Sequence, residues 1–362
     1  MGDLAGDVES ENAAAACLAM ELGRPRARAA IAAHGNATSA VEARAASRDW
    51  NPRLVPQRLL ADCARHGISL LGGEDACFPE LLRHIPDPPL ALFSLGALPG
   101  RDGTAVAVVG ARRCSRLGRE VAYQLARQIA TAGVRVVSGL ALGIDKAAHE
   151  GALDAPGAGR TVAVLGCGLA RIYPRRNQAL AERVVGEGGT LISEYPPEVP
   201  PAKHRFPERN RLISGLSHGV VVVEAGDRSG SLITARLALE QGREVMAVPG
   251  PVSGGTSRGC HRLLREGAAL VECAEHVFEA LNLTRPTPGS AETEQRAGLD
   301  LGEPLNSVLS AVEPVTTTMD QLVAVTGMAP EALSVCLVDL ELAGFVERVH
   351  EGYIRRPFSP GI

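Results

Sequence analysis

Seven short β-forming runs, at residues 106–109, 134–137, 162–165, 190–193, 220–223, 245–248 and 269–271, alternate with amphipathic stretches that open helices near Arg116, Ile144, Asn177, Arg209, Ser231 and Arg258. This alternation constrains the fold more than any other feature of the chain. A continuous apolar run such as Val220-Val221-Val222-Val223 has no polar side to give to water, so it reads as a strand buried on both faces. Strands joined through helices need right-handed crossovers, which arrange them in parallel. The expected fold class is therefore α/β: a Rossmann-like, doubly wound, mostly parallel sheet. In such a sheet ligands sit beyond the carboxyl ends of the strands.

The flanks read differently. Residues 12–65 are rich in Ala and Arg, with breaks at Gly23-Arg24-Pro25 and His34-Gly35-Asn36, and predict a small domain of short helices over residues 1–65. Such helices could grip a phosphate backbone as a helix-hairpin-helix module, or serve packing or partner binding. Prolines break the helical option between 66 and 100, where short strands lead into the Rossmann-like core of residues 66–282. Residues 283–301 turn to Thr, Pro, Gly, Ser and Glu and read as a linker. Residues 302–362 show helical periodicity and then two β-prone runs, Phe345-Val346-Glu347-Arg348-Val349 and Gly352-Tyr353-Ile354-Arg355, the pattern of a winged helix. Eight carboxylates against three arginines over 301–362 make that domain a poor reader of DNA and favour protein docking or a structural role.

Composition narrows the function classes. A formal net charge of −4 argues against a uniformly basic coat, so any anion site must be local. Six Phe, four Tyr and one Trp in 362 residues are too few for an extended stacking platform. Eight singly spaced Cys without a CxxC pair suit reduced thiols and give no zinc or redox signature. The opening residues lack the basic stretch of a signal peptide, and no apolar run approaches the roughly 18 residues that span a bilayer, so an intracellular protein without a membrane segment is expected.

Several loops that follow strands carry small or hydroxyl residues: Gly110-Ala111-Arg112-Arg113, Ser138-Gly139-Leu140-Ala141, Gly166-Cys167-Gly168 and Ser229-Gly230-Ser231-Leu232-Ile233-Thr234. Glycine lets a ligand approach the backbone closely, and N–H groups at a helix start favour an anion such as phosphate. Neither GxGxxG nor GxxxxGK[ST] occurs, so no nicotinamide or nucleotide-triphosphate cofactor is expected. The densest signal is Lys203-His204-Arg205-Phe206-Pro207-Glu208-Arg209-Asn210-Arg211. It reads either as a solvated charge cluster with an anchoring Phe or as a phosphate clamp with one base stacked on Phe206. In the second reading Arg112, Lys203, Arg209 and Arg211 converge on one rim.

The runs Val108-Val109-Gly110-Ala111-Arg112, Ser138-Gly139-Leu140-Ala141-Leu142-Gly143-Ile144-Asp145 and Phe206-Pro207-Glu208-Arg209-Asn210-Arg211-Leu212-Ile213-Ser214-Gly215 resemble the DprA/Smf family of DNA-processing proteins. Glu224-Ala225, the 229–235 loop and Val248-Pro249-Gly250 extend the resemblance over about residues 66–282. It implies a core that binds single-stranded DNA without cleaving it, a homodimer formed through that core with 258–271 contributing, and loading of the RecA recombinase during natural transformation. Carried over by motif, Arg112 would hold a phosphate with Gly110 leaving room for it, and Lys203 and Phe206 would clamp and stack the strand. Arg209, Asn210 and Arg211 would line the pocket, while Ser138, Gly139, Ser229 and Ser231 would offer N–H or hydroxyl donors. Ala111 stands where family members commonly carry Ser, so one hydroxyl contact is expected to be missing.

Two rival readings differ in class. A nucleoside-monophosphate phosphoribohydrolase of similar shape needs a PGGxGTxxE loop, and alignment on Gly230 puts Thr234 where the catalytic Glu would stand. Glu224 is the nearest substitute, at the end of a buried strand. A protein scaffold without a ligand is the other rival. His149 and Asp145, four residues apart on a helix, suggest a metal or acid–base pair only superficially, since no third ligand accompanies them and a satisfied core histidine fits better. Neither catalysis nor a metal is expected.

Overall fold

The computed structural model describes residues 3–46, 50–51, 54–97, 103–156, 161–283, 303–312, 316–342, 345–349 and 352–355. The chain divides into two compact units, Met1–Pro286 and Thr287–Ile362. The interruptions read at Gly23 and Gly35 separate α1 (Asp3–Leu22), α2 (Arg24–His34) and α3 (Ala37–Ala45), and α4 (Pro56–His66) follows. Gly23, Gly35 and the residue closing α4, Gly67, all take positive φ, the conformation that ends a helix at least cost in glycine. The chain then forms β1 (Ser69–Gly72), α5 (Glu80–Arg83) and β2 (Ala91–Gly96).

The alternating segment is β3 (Ala105–Val109), α6 (Arg116–Thr131), β4 (Arg135–Ser138), α7 (Ile144–Leu153), β5 (Thr161–Leu165), α8 (Gln178–Gly186) and β6 (Thr190–Ser193). It continues as α9 (Arg205–Gly215), β7 (Gly219–Val222), α10 (Ser231–Glu240), β8 (Glu244–Ala247), α11 (Arg258–Arg265), β9 (Ala269–Leu270) and α12 (Ala274–Ala280). Helix α9 starts four residues ahead of the expected Arg209. Pro207 falls in its first turn, where a missing N–H costs nothing.

The sheet runs β1-β2-β6-β5-β4-β3-β7-β8-β9. Pairs from β6 through β9 are parallel, whereas β1 and β2 form an antiparallel hairpin that adds to β6. Residues alternate across the sheet with the strand period of two. In β3, Ala105, Ala107 and Val109 join the cluster that takes in Leu212 and Ile213 of α9 and Ala235 of α10, while Val106 and Val108 pack with α6 and α7. Successive strands run outward from β3 in one direction through β4, β5 and β6, then restart on its other side with β7. This reversal opens a crevice at the carboxyl ends of β3 and β7, the general ligand position of such sheets.

The N-terminal helices share a core with the sheet unit. Ala13, Ala16, Cys17, Leu59 and Cys63 cluster with Phe93, Leu140 and Leu165. An ionic network, buried at Arg211 and Glu194 and half-buried at Asp87, Arg24 and Arg28, fastens α2 to the same unit. Arg211 reaches both carboxylate oxygens of Glu194, at 2.5 and 2.6 Å, and lies 3.3 Å from Asp87. Arg24 donates to Asp87 at 2.7 Å and Arg28 at 2.9 Å. Burial alone would raise Asp87, but the Arg28 hydrogen bond and the Arg211 and Arg24 charges outweigh it and hold the carboxyl below its ordinary range.

In the second unit, α13 (Leu305–Ala311), α14 (Met319–Thr326) and α15 (Pro330–Leu342) precede the antiparallel pair β10 (Val346–Val349) and β11 (Gly352–Arg355). A bridge from Thr317 to Tyr353 extends the wing. The segment read as a linker lies almost wholly outside the described residues. Among the described residues no single helix is long and apolar enough to cross a membrane.

Removing one partner of a buried ion pair strands the other charge, at a cost of about 3–5 kcal/mol. Arg211→Ala is expected to lower the stability of the first unit in urea unfolding by up to that order, since Arg24 still reaches Glu194 at 3.4 Å. The double change Arg211→Leu/Glu194→Leu should recover most of the loss, and equal losses in single and double variants would contradict the network's role.

Candidate nucleic-acid interface

At the crevice between β3 and β7 lies a cleft of about 810 Å³. Its first wall is the loop after β3. Gly110 has no room for a side chain, since an added Cβ would meet Ile144 Cγ1 at 2.6 Å and the Glu224 carbonyl oxygen at 2.9 Å. The Ala111 N–H donates to that same carbonyl at 2.7 Å. The Glu224 carboxylate accepts from the Ser115 N–H at 2.9 Å and the Ser115 hydroxyl at 2.6 Å, and Ser115 in turn caps α6 through the Gly118 N–H. Glu224 is thus a loop anchor with both oxygens engaged. Pinned on both sides, the loop turns Arg112 and Arg113 out to solvent along the cleft.

The second wall is α9 and the turn before it. Lys203 is exposed, while Phe206 and Asn210 are half-buried, and all three line the cleft. The Arg112 guanidinium carbon lies 5.4 Å from the centre of the Phe206 ring, a cation–π contact that ties the two walls together. The third wall is the loop after β7, with Arg228 exposed and Ser229, Gly230 and Ser231 leading into α10. The Ser229 and Ser231 hydroxyls lie 2.7 Å apart, and Asn210 reaches the Gly230 carbonyl at 3.4 Å. The positive end of the α10 dipole faces the same space.

The floor carries a buried charge. Arg209 donates to the Gly139 carbonyl at 2.7 Å and to the Val164 carbonyl, beside the carboxyl of Asp145. Asp145 accepts N–H bonds from Gly139 at 3.1 Å and Ala141 at 3.4 Å. Burial raises Asp145, against the pull of Arg209 and those N–H groups. Burial also pushes the Arg209 guanidinium down to about 10, with Asp145 opposing and Arg112 adding to the shift.

Of the residues expected at the site, the structure brings together Gly110, Arg112, Lys203, Phe206, Arg209, Asn210, Ser229 and Ser231. Three expectations need correction. Ser138 is fully buried and donates its hydroxyl to the Val108 carbonyl at 2.7 Å, so it stabilises the strand end and offers nothing to a ligand. Gly139 is consumed by Asp145 on its N–H and Arg209 on its carbonyl. Arg211 lies two residues past Arg209, about 200° round the helix, and faces the Glu194–Asp87 network instead of the cleft. Arg209 itself lines the floor, with its Nη1 bonded to two protein carbonyls and its buried Nε left without a hydrogen-bond partner.

Relatives place the chain. It matches the family described as DNA recombination-mediator protein A over residues 69–282, and the DprA winged helix domain over 292–352. The chain belongs to the DprA family. Protein Smf of Escherichia coli (strain K12) is 41% identical over 292 residues, covering 79% of this chain and 77% of that protein. DNA processing protein DprA of Bacillus subtilis (strain 168) is 42% identical over 225 residues, covering 62% of this chain and 75% of the relative. Among solved structures, DNA processing protein A from Streptococcus pneumoniae superposes with a TM-score of 0.56 at 40% identity, covering 65% of this chain and 83% of the other. DNA processing protein A from Helicobacter pylori, reported for its single-stranded DNA binding mode, gives a TM-score of 0.51 at 30% identity, covering 59% of this chain and 95% of the other.

This DprA-family cleft also contains residues that motif reading passed over: Tyr173, Arg228 and Asp227. Tyr173 follows β5 and Arg228 follows β7, so both stand past the carboxyl end of a strand. The topological rule would have found them where local charge density did not. His149, by contrast, is a core residue, as its sequence context suggested. Its Nδ1 lies 2.7 Å from the Thr161 hydroxyl and its Nε2 accepts the Leu140 N–H at 3.3 Å, holding a loop in which Leu140 takes the left-handed φ of 54°.

Burial, reinforced by the Arg209 charge, pushes His149 down to about 3, so the folded protein keeps the ring neutral. The unfolded chain takes up a proton below about pH 6.5 that the folded protein refuses until about pH 3. The stability His149 contributes above pH 6.5 is therefore lost as pH falls through that window. The urea midpoint of wild type should exceed that of His149→Gln by a margin that shrinks between about pH 7 and about pH 4. A margin constant with pH would contradict this assignment.

Proposed function

We propose that this cleft holds single-stranded DNA without base preference, and that the chain, as a dimer of its sheet units, delivers the strand to the RecA recombinase during DNA uptake and recombination. The observation that carries the reading is that Arg112, Arg113, Lys203 and Arg228 line one cleft together with Phe206 at the open end of the sheet, with Arg112 over the ring. Guanidinium and ammonium groups meet backbone phosphates, and an aromatic face accepts any base. No such arrangement is needed for a duplex, whose bases are already stacked and whose faces are hidden.

Three further points support the reading. The family is described as a recombination mediator, and its Helicobacter pylori member is described with single-stranded DNA. The acidic winged-helix unit is unsuited to phosphate and suits contact with protein, which fits a delivery role toward RecA. At the cleft floor Asp145 is committed to backbone N–H groups and Glu224 to Ser115, which leaves Asp227 as the one exposed carboxylate on the lining and favours binding over hydrolysis. Incubation with AMP is accordingly expected to release no free adenine, and its release would restore the phosphoribohydrolase reading.

Contact with about four phosphates predicts a log–log salt slope of about −3 for single strands, at roughly −0.7 per contact. Arg113 and Arg228 supply the contacts that Arg209 and Arg211 spend inside the protein. Arg112→Ala or Lys203→Ala should each weaken binding to all sequences alike and flatten the slope by about 0.7. An anisotropy titration in which neither change alters affinity or slope would overturn the cleft as the binding site.

A further inference from the structure

Among the described residues Tyr173 is the one aromatic side chain among the large exposed hydrophobics, at 45% exposure. It lines the cleft. An aromatic ring left open to water costs hydrophobic free energy, and a chain with only four Tyr, six Phe and one Trp has few to spare. The neighbouring Phe206 is more enclosed. The Arg112 guanidinium carbon lies 5.4 Å from the centre of its ring, and an added Cβ at Gly166 would stand 3.0 Å from its Cδ1, so bare main chain comes close to the ring. The Tyr173 and Phe206 ring centres lie 5.6 Å apart with their planes tilted by 42°.

We infer that Tyr173 is a second base platform, taking the base adjacent to the one at Phe206. The inference rests on the single-strand reading of the cleft and adds to it a residue and a stoichiometry of two stacked bases. Stacked neighbours in one strand are about 3.4 Å apart along the axis. Rings 5.6 Å apart are in direct contact with each other, so Tyr173 and Phe206 form one continuous aromatic surface long enough to take two adjacent bases. Arg112 serves both parts of this arrangement, lying over the Phe206 ring while facing the phosphate path. The acceptor is thus an unpaired nucleic acid, and a phosphate chain without bases would engage only the cations.

The test compares oligothymidylate with an abasic oligodeoxynucleotide of the same length, titrated against the full chain. Tyr173→Ala and Tyr173→Leu should weaken oligothymidylate binding by about 5- to 150-fold, the usual loss for one stacked base. They should leave the abasic ligand unchanged. Tyr173→Phe and Tyr173→Trp should restore affinity, and the tryptophan emission of Trp50→Phe/Tyr173→Trp should be quenched by oligothymidylate and not by the abasic ligand. Using Leu beside Ala, with thermal unfolding of each, keeps a misfolded variant from imitating the effect. If Tyr173→Leu binds oligothymidylate as wild type does while Arg112→Ala weakens both ligands, the second platform is wrong and the cleft stands. If Arg112→Ala changes neither ligand, the single-strand reading fails and the platform falls with it.

Discussion

The guanidinium of Arg209 enters the sheet from α9 and ends on the carbonyls of Gly139 and Val164, beside Asp145. A charge taken out of water is tolerated only where polar partners surround it, so this side chain fixes the azimuth of α9 about its own axis. With Arg209 turned inward, helical geometry sets its neighbours. Phe206 and Asn210, three residues before and one after, lie toward the cleft, while Arg211 is carried round to the opposite face. Were α9 to roll by one residue, the ring, the lysine turn and the inward ion network would all lose their places together. The cleft is a consequence of that one buried cation and of the strand reversal above which it sits.

A protein of formal charge −4 can present a basic surface only by concentrating it. The fold achieves this by spending its carboxylates elsewhere. Glu194 and Asp87 face the inner arginines, Glu224 anchors the first loop, and the acidic excess of the last 62 residues belongs to a separate unit. What remains at the open end of the sheet is a rim of cations and aromatic rings in which Asp227 is the one exposed carboxylate among the lining residues. On the function proposed above, such a rim would take an exposed base face and a flexible phosphate chain in preference to a closed duplex.

The parts legible in the sequence were those governed by local periodicity. Valine runs announce strands buried on both faces, and the Gly23 and Gly35 breaks fall where α1 and α2 end. Arg112, Lys203 and Phe206 stood out because they are polar or aromatic residues beside a strand end or a proline-rich turn. Orientation was not legible. Ser138 and Arg211 carry site-like chemistry, yet a strand end and a helix phase turn them inward, and that depends on partners such as Glu194 and the Val108 carbonyl that lie far away in the chain. Tyr173 carries no such signal for the converse reason, since a lone Tyr in a loop has no local pattern and gains its meaning only from the Phe206 ring beside it.

The most direct test is to map where a bound strand lies. An oligodeoxynucleotide with photoreactive 4-thiothymidine at every position, irradiated in complex with the full chain and analysed by peptide mass spectrometry, would report all bases in contact. The account predicts crosslinks concentrated in peptides spanning 110–116, 171–176, 203–210 and 226–231. Crosslinks falling mainly in 303–355, with those four segments unmodified, would contradict it.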